Sequence, residues 1–234
     1  MGTNVRQNIV TNGLVLYLDA GSRISYPGSG TTWSDLSGNG YNGTITNGST
    51  FNPDNRGNIA FVSSSQQYVN CGTYTLTSAV DFTVFSWFKK TTADGGFIFS
   101  IDAASCGNSP MMYVSATSTI TCRYETTTSS NLLSGSVVVS DSNWHNVCYI
   151  RSGANSLLYI DGRLNNTLAI TGTAGSGTKN MLIGTRQGSI SNPAGCGATF
   201  LTSNLATVMF YNRAFSDLEV YQNYNATKTR FGLT

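Results

Sequence analysis

Charge is what this 234-residue sequence has least of. Asp, Glu, Lys and Arg make up 10% of it, well under the ~25% typical of soluble globular chains. Thirteen Lys and Arg against eleven Asp and Glu leave a net charge of +2 with no basic stripe, which argues against nucleic-acid binding through phosphate contacts. Histidine occurs once, as His145, and the only glutamates are Glu125 and Glu219. One histidine and no C-x-x-C exclude the usual zinc-ligand spacings. No expected strand carries two acids in alternation, the arrangement that would flank a glycosidic bond with paired carboxyl groups. Long apolar runs are also missing, so no segment approaches the ~18 residues of a membrane span. Residues 1–10 hold no stretch long enough for a cleavable signal, and Arg6 stands where N-myristoylation wants Ser or Thr.

Hydroxyls, amides and glycine fill the space that charge leaves. Ser, Thr, Asn and Gly supply 107 residues, while 40% of the chain is hydrophobic and 11% aromatic, enough for a packed core. Turn signals recur every eight to twelve residues, and the segments between them read as strands. Such segments lie at 14–18, 58–62, 67–71, 82–88, 97–101, 111–114, 120–124 and 146–150. In 82–88, Phe82, Val84, Ser86 and Phe88 share one face, and Thr83, Phe85 and Trp87 the other. Both faces are largely apolar, as in a strand at the middle of a sandwich. Asp161-Gly162 between 156–160 and 163–170 is the signature of a two-residue hairpin turn. No linker divides the chain, so residues 13–234 are expected as one domain behind an arm of residues 1–12.

One helix is expected, near the C-terminus. Ser216-Asp-Leu-Glu219 is a capping box, and Phe215 with Val220 has the spacing of a hydrophobic staple. The helix should run to about Asn225 and lie on the sandwich edge through Leu218, Tyr221 and Tyr224.

The candidate chemistry is sparse. Gly38-Asn-Gly-Tyr-Asn-Gly43 matches G-x-G-x-x-G, but a strand pattern follows it where a dinucleotide site needs a helix. Residues 172–179 miss a P-loop because Thr178 stands where Lys is required. Both read as loops. Cys71, Cys122 and Cys148 offer no metal spacing, and Cys122 and Cys148 read as small core residues. Cys106 and Cys196 sit in Gly-flanked loops where they could meet as a disulfide, although the odd count favours a reducing compartment. His145 beside Trp144 reads as a packing and hydrogen-bonding residue, and no nucleophile elbow accompanies it. Glu125 precedes an expected loop at 126–130, and Glu219 is used by the capping box. The loop from Asp35 to Asn42 offers the oxygen ligands calcium prefers, with Asp19 as a possible second acid; the same residues also build an Asx-stabilised turn. Tyr26, Trp33 and Tyr41, in expected loops, offer faces to a sugar ring or to the core. No catalytic residue, cofactor or metal ligand is assigned.

A family resemblance rests on residues 14–19, Trp33-Ser-Asp-Leu-Ser-Gly-Asn-Gly40, 82–88, Trp144-His-Asn-Val147, Leu158-Tyr-Ile-Asp-Gly162 and 208–219, in that order. The chain resembles a LamG-like domain of the concanavalin A-like lectin/glucanase superfamily. The resemblance implies an all-β fold, a two-sheet antiparallel jelly-roll sandwich with one short C-terminal helix. The opening GLVLYLDAG and the ending YNRAFSDLEVYQNYNATKTRFGL are also similar to LamG-like domains in virion proteins of tailed bacteriophages. That likeness implies a non-enzymatic capsid decoration protein, made in the host cytoplasm and carried on the virion. It would bind capsid or other virion proteins, as a homo-oligomer such as a trimer, without nucleic acid or membrane. The alternative is a carbohydrate-binding adhesin that recognises a host-surface glycan.

Overall fold

Period-two alternation decides the architecture. The computed structural model describes residues 8–77, 81–103, 110–126, 129–172, 175–191 and 199–234, which include sixteen strands. They pair antiparallel throughout, in two eight-stranded sheets packed face to face. The first sheet runs β14 (Arg163–Ala169), β13 (Asn155–Ile160), β12 (Trp144–Ser152), β7 (Phe82–Lys89), β16 (Ser203–Tyr211), β5 (Asn58–Phe61) and β4 (Thr50–Asn52), with β1 (Leu14–Asp19) also beside β16. The second runs β11 (Ser130–Val138), β10 (Thr119–Glu125), β9 (Pro110–Val114), β8 (Gly96–Asp102), β15 (Gly177–Ile183), β6 (Tyr68–Leu76), β3 (Gly43–Thr46) and β2 (Thr32–Trp33). The described residues also include two α-helices, α1 (Gln187–Ser191) and α2 (Asp217–Thr227).

The main core lies between the sheets, where Leu16, Trp33, Val84, Phe88, Phe99, Met112, Cys122 and Phe210 are buried together. A second core covers the outer face of the first sheet. It joins Phe85, Trp87, Ile150, Met209 and Tyr211 to Phe215 and Val220 and to Phe231, just past α2. The two apolar faces of residues 82–88 therefore have separate partners: Phe82, Val84 and Phe88 point into the sandwich, and Phe85 and Trp87 lie under α2. Each such side chain stabilises the fold by about 1.5–3 kcal/mol relative to exposure.

The capping box forms as expected, with Ser216 and Glu219 each bonding the other's backbone N–H. The face of α2 differs from the expected one. Leu218 is 79% exposed and Tyr221 53%, while Val220 and Asn223 are buried and Tyr224 stacks on Trp87 at 5.7 Å. The staple pair explains the phase: Phe215 and Val220 both enter the outer core, so Asn223, Tyr224 and Thr227 follow at helical spacing on the same side. Asn223 tolerates burial because its Oδ1 accepts from the Val10 N–H at 2.7 Å and its Nδ2 donates to the Tyr211 hydroxyl at 3.0 Å. Through these bonds, and one from Arg213 Nε to the Asn12 carbonyl, residues 8–12 lie against α2 and β16. The expected loop at 172–179 is also shorter, since β15 begins at Gly177. At the β13–β14 turn, Asp161 and Gly162 both have positive φ, 51° and 75°, as a type I′ hairpin requires.

Candidate functional site

Most of the sequence-level candidates are consumed by the fold. Asp35 Oδ1 accepts from the N–H groups of Tyr17 and Ser37, each at 2.9 Å. Its Oδ2 accepts from the Ser37 hydroxyl at 2.7 Å and the Tyr41 N–H at 3.1 Å. Four donors match the roughly four lone-pair positions of a carboxylate. Asn42 closes the loop by accepting from the Asp35 N–H at 2.9 Å. The loop is thus an Asx-stabilised turn that fastens itself to β1. Asp19 does not join it, but lies 2.6 Å from Arg230. Among the described residues no group of three or more His, Cys, Asp or Glu is arranged to hold a metal.

The loop aromatics are equally committed. Trp33 and Tyr26 are buried, and Tyr41, half-buried, packs on Tyr74 at 6.1 Å, so they form no sugar platform. Gly38 and Gly40 turn a strand-to-strand connection, with no helix after them. Cys71, Cys122 and Cys148 are buried free thiols whose pKa values burial raises. Cys106 and Cys196 lie outside the described residues.

His145 acquires partners the sequence did not reveal. Its Nδ1 is 2.9 Å from Asp161 Oδ2 and its Nε2 3.0 Å from Asp141 Oδ1. Asp161 Oδ1 accepts from the Asn146 N–H at 2.8 Å, so the hairpin-turn acid also fixes the start of β12. This is a clamp holding the 141–143 loop to the β13–β14 turn. Burial alone would lower the His145 pKa, and the two carboxylates outweigh it, so the net shift is upward. A raised folded-state pKa stabilises the protein fully below the unfolded value near 6.5, and that stabilisation disappears as pH rises through the folded value. His145→Gln should therefore cost stability at pH 5.5 and progressively less at higher pH. Thermal melts of both proteins across pH 5.5–9 check this; a deficit independent of pH would contradict it.

The outer face of the second sheet holds a different constellation. Register places Phe97 opposite Tyr113, and Tyr113 opposite Thr121, on the side away from the main core. Arg123 follows two residues along β10 on the same side. The Phe97 and Tyr113 rings lie 5.1 Å apart, and the Arg186 guanidinium sits 5.2 Å over Phe97. Between them opens a cleft of about 240 Å³, lined by Phe97, Tyr113, Ser115, Arg123, Arg186 and Thr199 among others. Its rim is held from below. Fully buried Lys90 bonds Asp94 Oδ1 and the Thr202 carbonyl, both at 2.8 Å. Gly96 lies so close to Leu201 that a Cβ would fall 2.6 Å from the Leu201 Cα, so only glycine lets the 199–202 segment approach β8. Arg123 pairs with Glu125 and donates from Nε to the Ser130 hydroxyl at 3.0 Å. Burial lowers the Arg123 pKa and raises that of Tyr113.

A half-buried aromatic ring beside guanidinium and hydroxyl groups suits a ligand with an apolar face and a polar edge. In the expected strands at 111–114 and 120–124, Tyr113 alternates with Met112 and Val114, and Arg123 with Cys122 and Tyr124. What the sequence hides is that Phe97 and Arg186 join them.

A family model described as the concanavalin A-like lectin/glucanases superfamily, of laminin G type, matches residues 63–221. Among curated proteins, none matches the sequence. Among solved structures, the binding domain of Paraclostridial Mosquitocidal Protein 1 superposes with a TM-score of 0.68 at 14% identity, over 92% of this chain and 52% of that one. The binding domain of botulinum neurotoxin DC in complex with SialylT gives 0.63 at 13% identity, over 93% and 52%. The same domain with rat synaptotagmin II gives 0.64 at 14%, over 93% and 52%. Identities this low speak for the fold alone, and the chain spans about half the length of these relatives.

Proposed function

We propose that this chain, which belongs to the concanavalin A-like lectin/glucanase superfamily, is a non-enzymatic module that binds a receptor glycan through the cleft on its second sheet. The observation that carries the reading is the contrast between the two outer sheet faces. One is buried under α2, while the other presents Tyr113, Arg123 and Arg186 around a cavity. Supporting it, the superposed structures are described as binding domains, one in complex with SialylT. A lack of catalysis is supported by the acids themselves: Asp35 stitches a turn, Asp141 and Asp161 hold His145, Asp19 faces Arg230, and Glu219 caps α2.

The relatives described as toxin binding domains lend no support to a capsid decoration protein, trimeric or otherwise, and glycan binding replaces it as the main reading. The phage-like flanks support a virion surface as the place where such a module would work.

A glycan array tests the proposal. The protein should bind a defined subset of glycans, and Tyr113→Ala should weaken that binding about tenfold or more, as for an aromatic anchor at a binding centre. Tyr113 is only half-buried, so the variant should stay folded. No binding to any glycan would overturn the reading.

A further inference from the structure

The two arginines of the sheet cleft line it, and the acids beside them do not. Arg123 and Arg186 both face the cavity. Glu125, paired with Arg123, and Asp102, whose charge reaches it, are absent from the lining. In a chain only 10% charged, the charged residues among the described lining of this small cavity are both arginines. The two guanidiniums also oppose each other: burial lowers the Arg123 pKa, and the neighbouring Arg186 charge adds to the lowering. Arg123 engages Ser130 through Nε and Glu125 through Nη2, which uses two of the five donors of a guanidinium.

We propose that the cleft accepts an acidic pyranose, its ring against Tyr113 and its carboxylate between Arg123 and Arg186. This rests on the glycan-binding reading and narrows it to a ligand class. A planar carboxylate matches the fork of a guanidinium, which a neutral hydroxymethyl group cannot do. The cavity, about 240 Å³, falls below the ~300–1,000 Å³ of pockets for drug-sized ligands, so it holds one ring. The recognised unit is then a terminal or otherwise exposed acidic residue of a longer chain.

The experiment uses an array of sialylated and uronate-bearing glycans beside their neutral counterparts, followed by titration of the strongest pair. The acidic member should bind about tenfold or more tightly, as for a hydrogen-bonded charge pair. Its advantage should shrink as salt rises from about 0.05 M to about 0.5 M. Arg123→Gln alone would remove the ion-pair partner of buried Glu125, so the variant is Arg123→Gln with Glu125→Gln, checked by its melting temperature. It should lose the preference for acid while keeping residual binding to the ring. If this variant does not fold, the salt titration of the unaltered protein decides the matter. Equal affinity for acidic and neutral members would overturn the inference and leave the glycan reading standing. Binding to no glycan at all would overturn both.

Discussion

Trp87→Ala is expected to lower the unfolding free energy by about 3–5 kcal/mol, the range for deleting a buried aromatic side chain. The indole is fully buried, stacked on Phe231 at 4.2 Å and on Tyr224 at 5.7 Å, and its Nε1 donates to the Thr227 hydroxyl at 2.7 Å. Its removal leaves a cavity between the first sheet and α2, with Thr227 losing a donor. Wall collapse is hindered because the neighbouring Phe85, Met209 and Tyr211 are anchored in β7 and β16, central strands of the first sheet. Denaturant unfolding measures the effect. A loss below about 0.5 kcal/mol, the level of surface substitutions, would show that α2 contributes little to stability.

The second large effect is at Arg230. Its Nη1 lies 2.6 Å from Asp19 Oδ1, its Nε donates to the Asn55 carbonyl at 2.7 Å, and its Nη2 bonds the Gly57 carbonyl. One side chain after α2 thereby ties β1 to the turn before β5. Arg230→Ala should cost about 3 kcal/mol, the low end for breaking a buried pair, because removal strands a carboxylate and two carbonyls. The pair stays at the low end since its side chains keep 10% and 17% exposure. Adding Asp19→Asn should recover part of the loss, because the stranded charge disappears with it. A double variant no more stable than Arg230→Ala would mean that the Asp19 charge is not what the arginine compensates.

How much of this was legible depends on distance along the chain. Residues 82–88 announced burial on both faces, and the outer core under α2 is the reason. Asp161-Gly162 announced its own turn, and Ser216 with Glu219 announced the start of α2, because each is a local rule with a local cause. The face of α2 was misread because apolar letters were preferred to Asn223, whose burial depends on Val10 and Tyr211, far away in sequence. The start of β15 was hidden in Gly and Thr letters that look like a turn. There the strand is held by pairing, with Thr178 facing Thr75 across a 2.9 Å hydroxyl contact. The candidate site was the least legible part. Phe97, Tyr113, Arg123 and Arg186 come from separate segments; strand register assembles the first three, and the segment between β15 and α1 brings Arg186 over Phe97. Conversely, the Asp35 loop looked like a ligand set because its oxygens are adjacent in sequence, yet its carboxylate is filled by three backbone N–H groups and the Ser37 hydroxyl.

The central claim is that ligand binding belongs to the open face of the second sheet and not to the face roofed by α2. Comparing Tyr113→Ala with Tyr221→Ala on the same glycan array tests it most directly, since Tyr221 is an exposed aromatic on α2 at the opposite side of the sandwich. The account predicts that Tyr113→Ala loses binding about tenfold or more while Tyr221→Ala binds as the unaltered protein does. Binding that survives Tyr113→Ala and falls with Tyr221→Ala would contradict it.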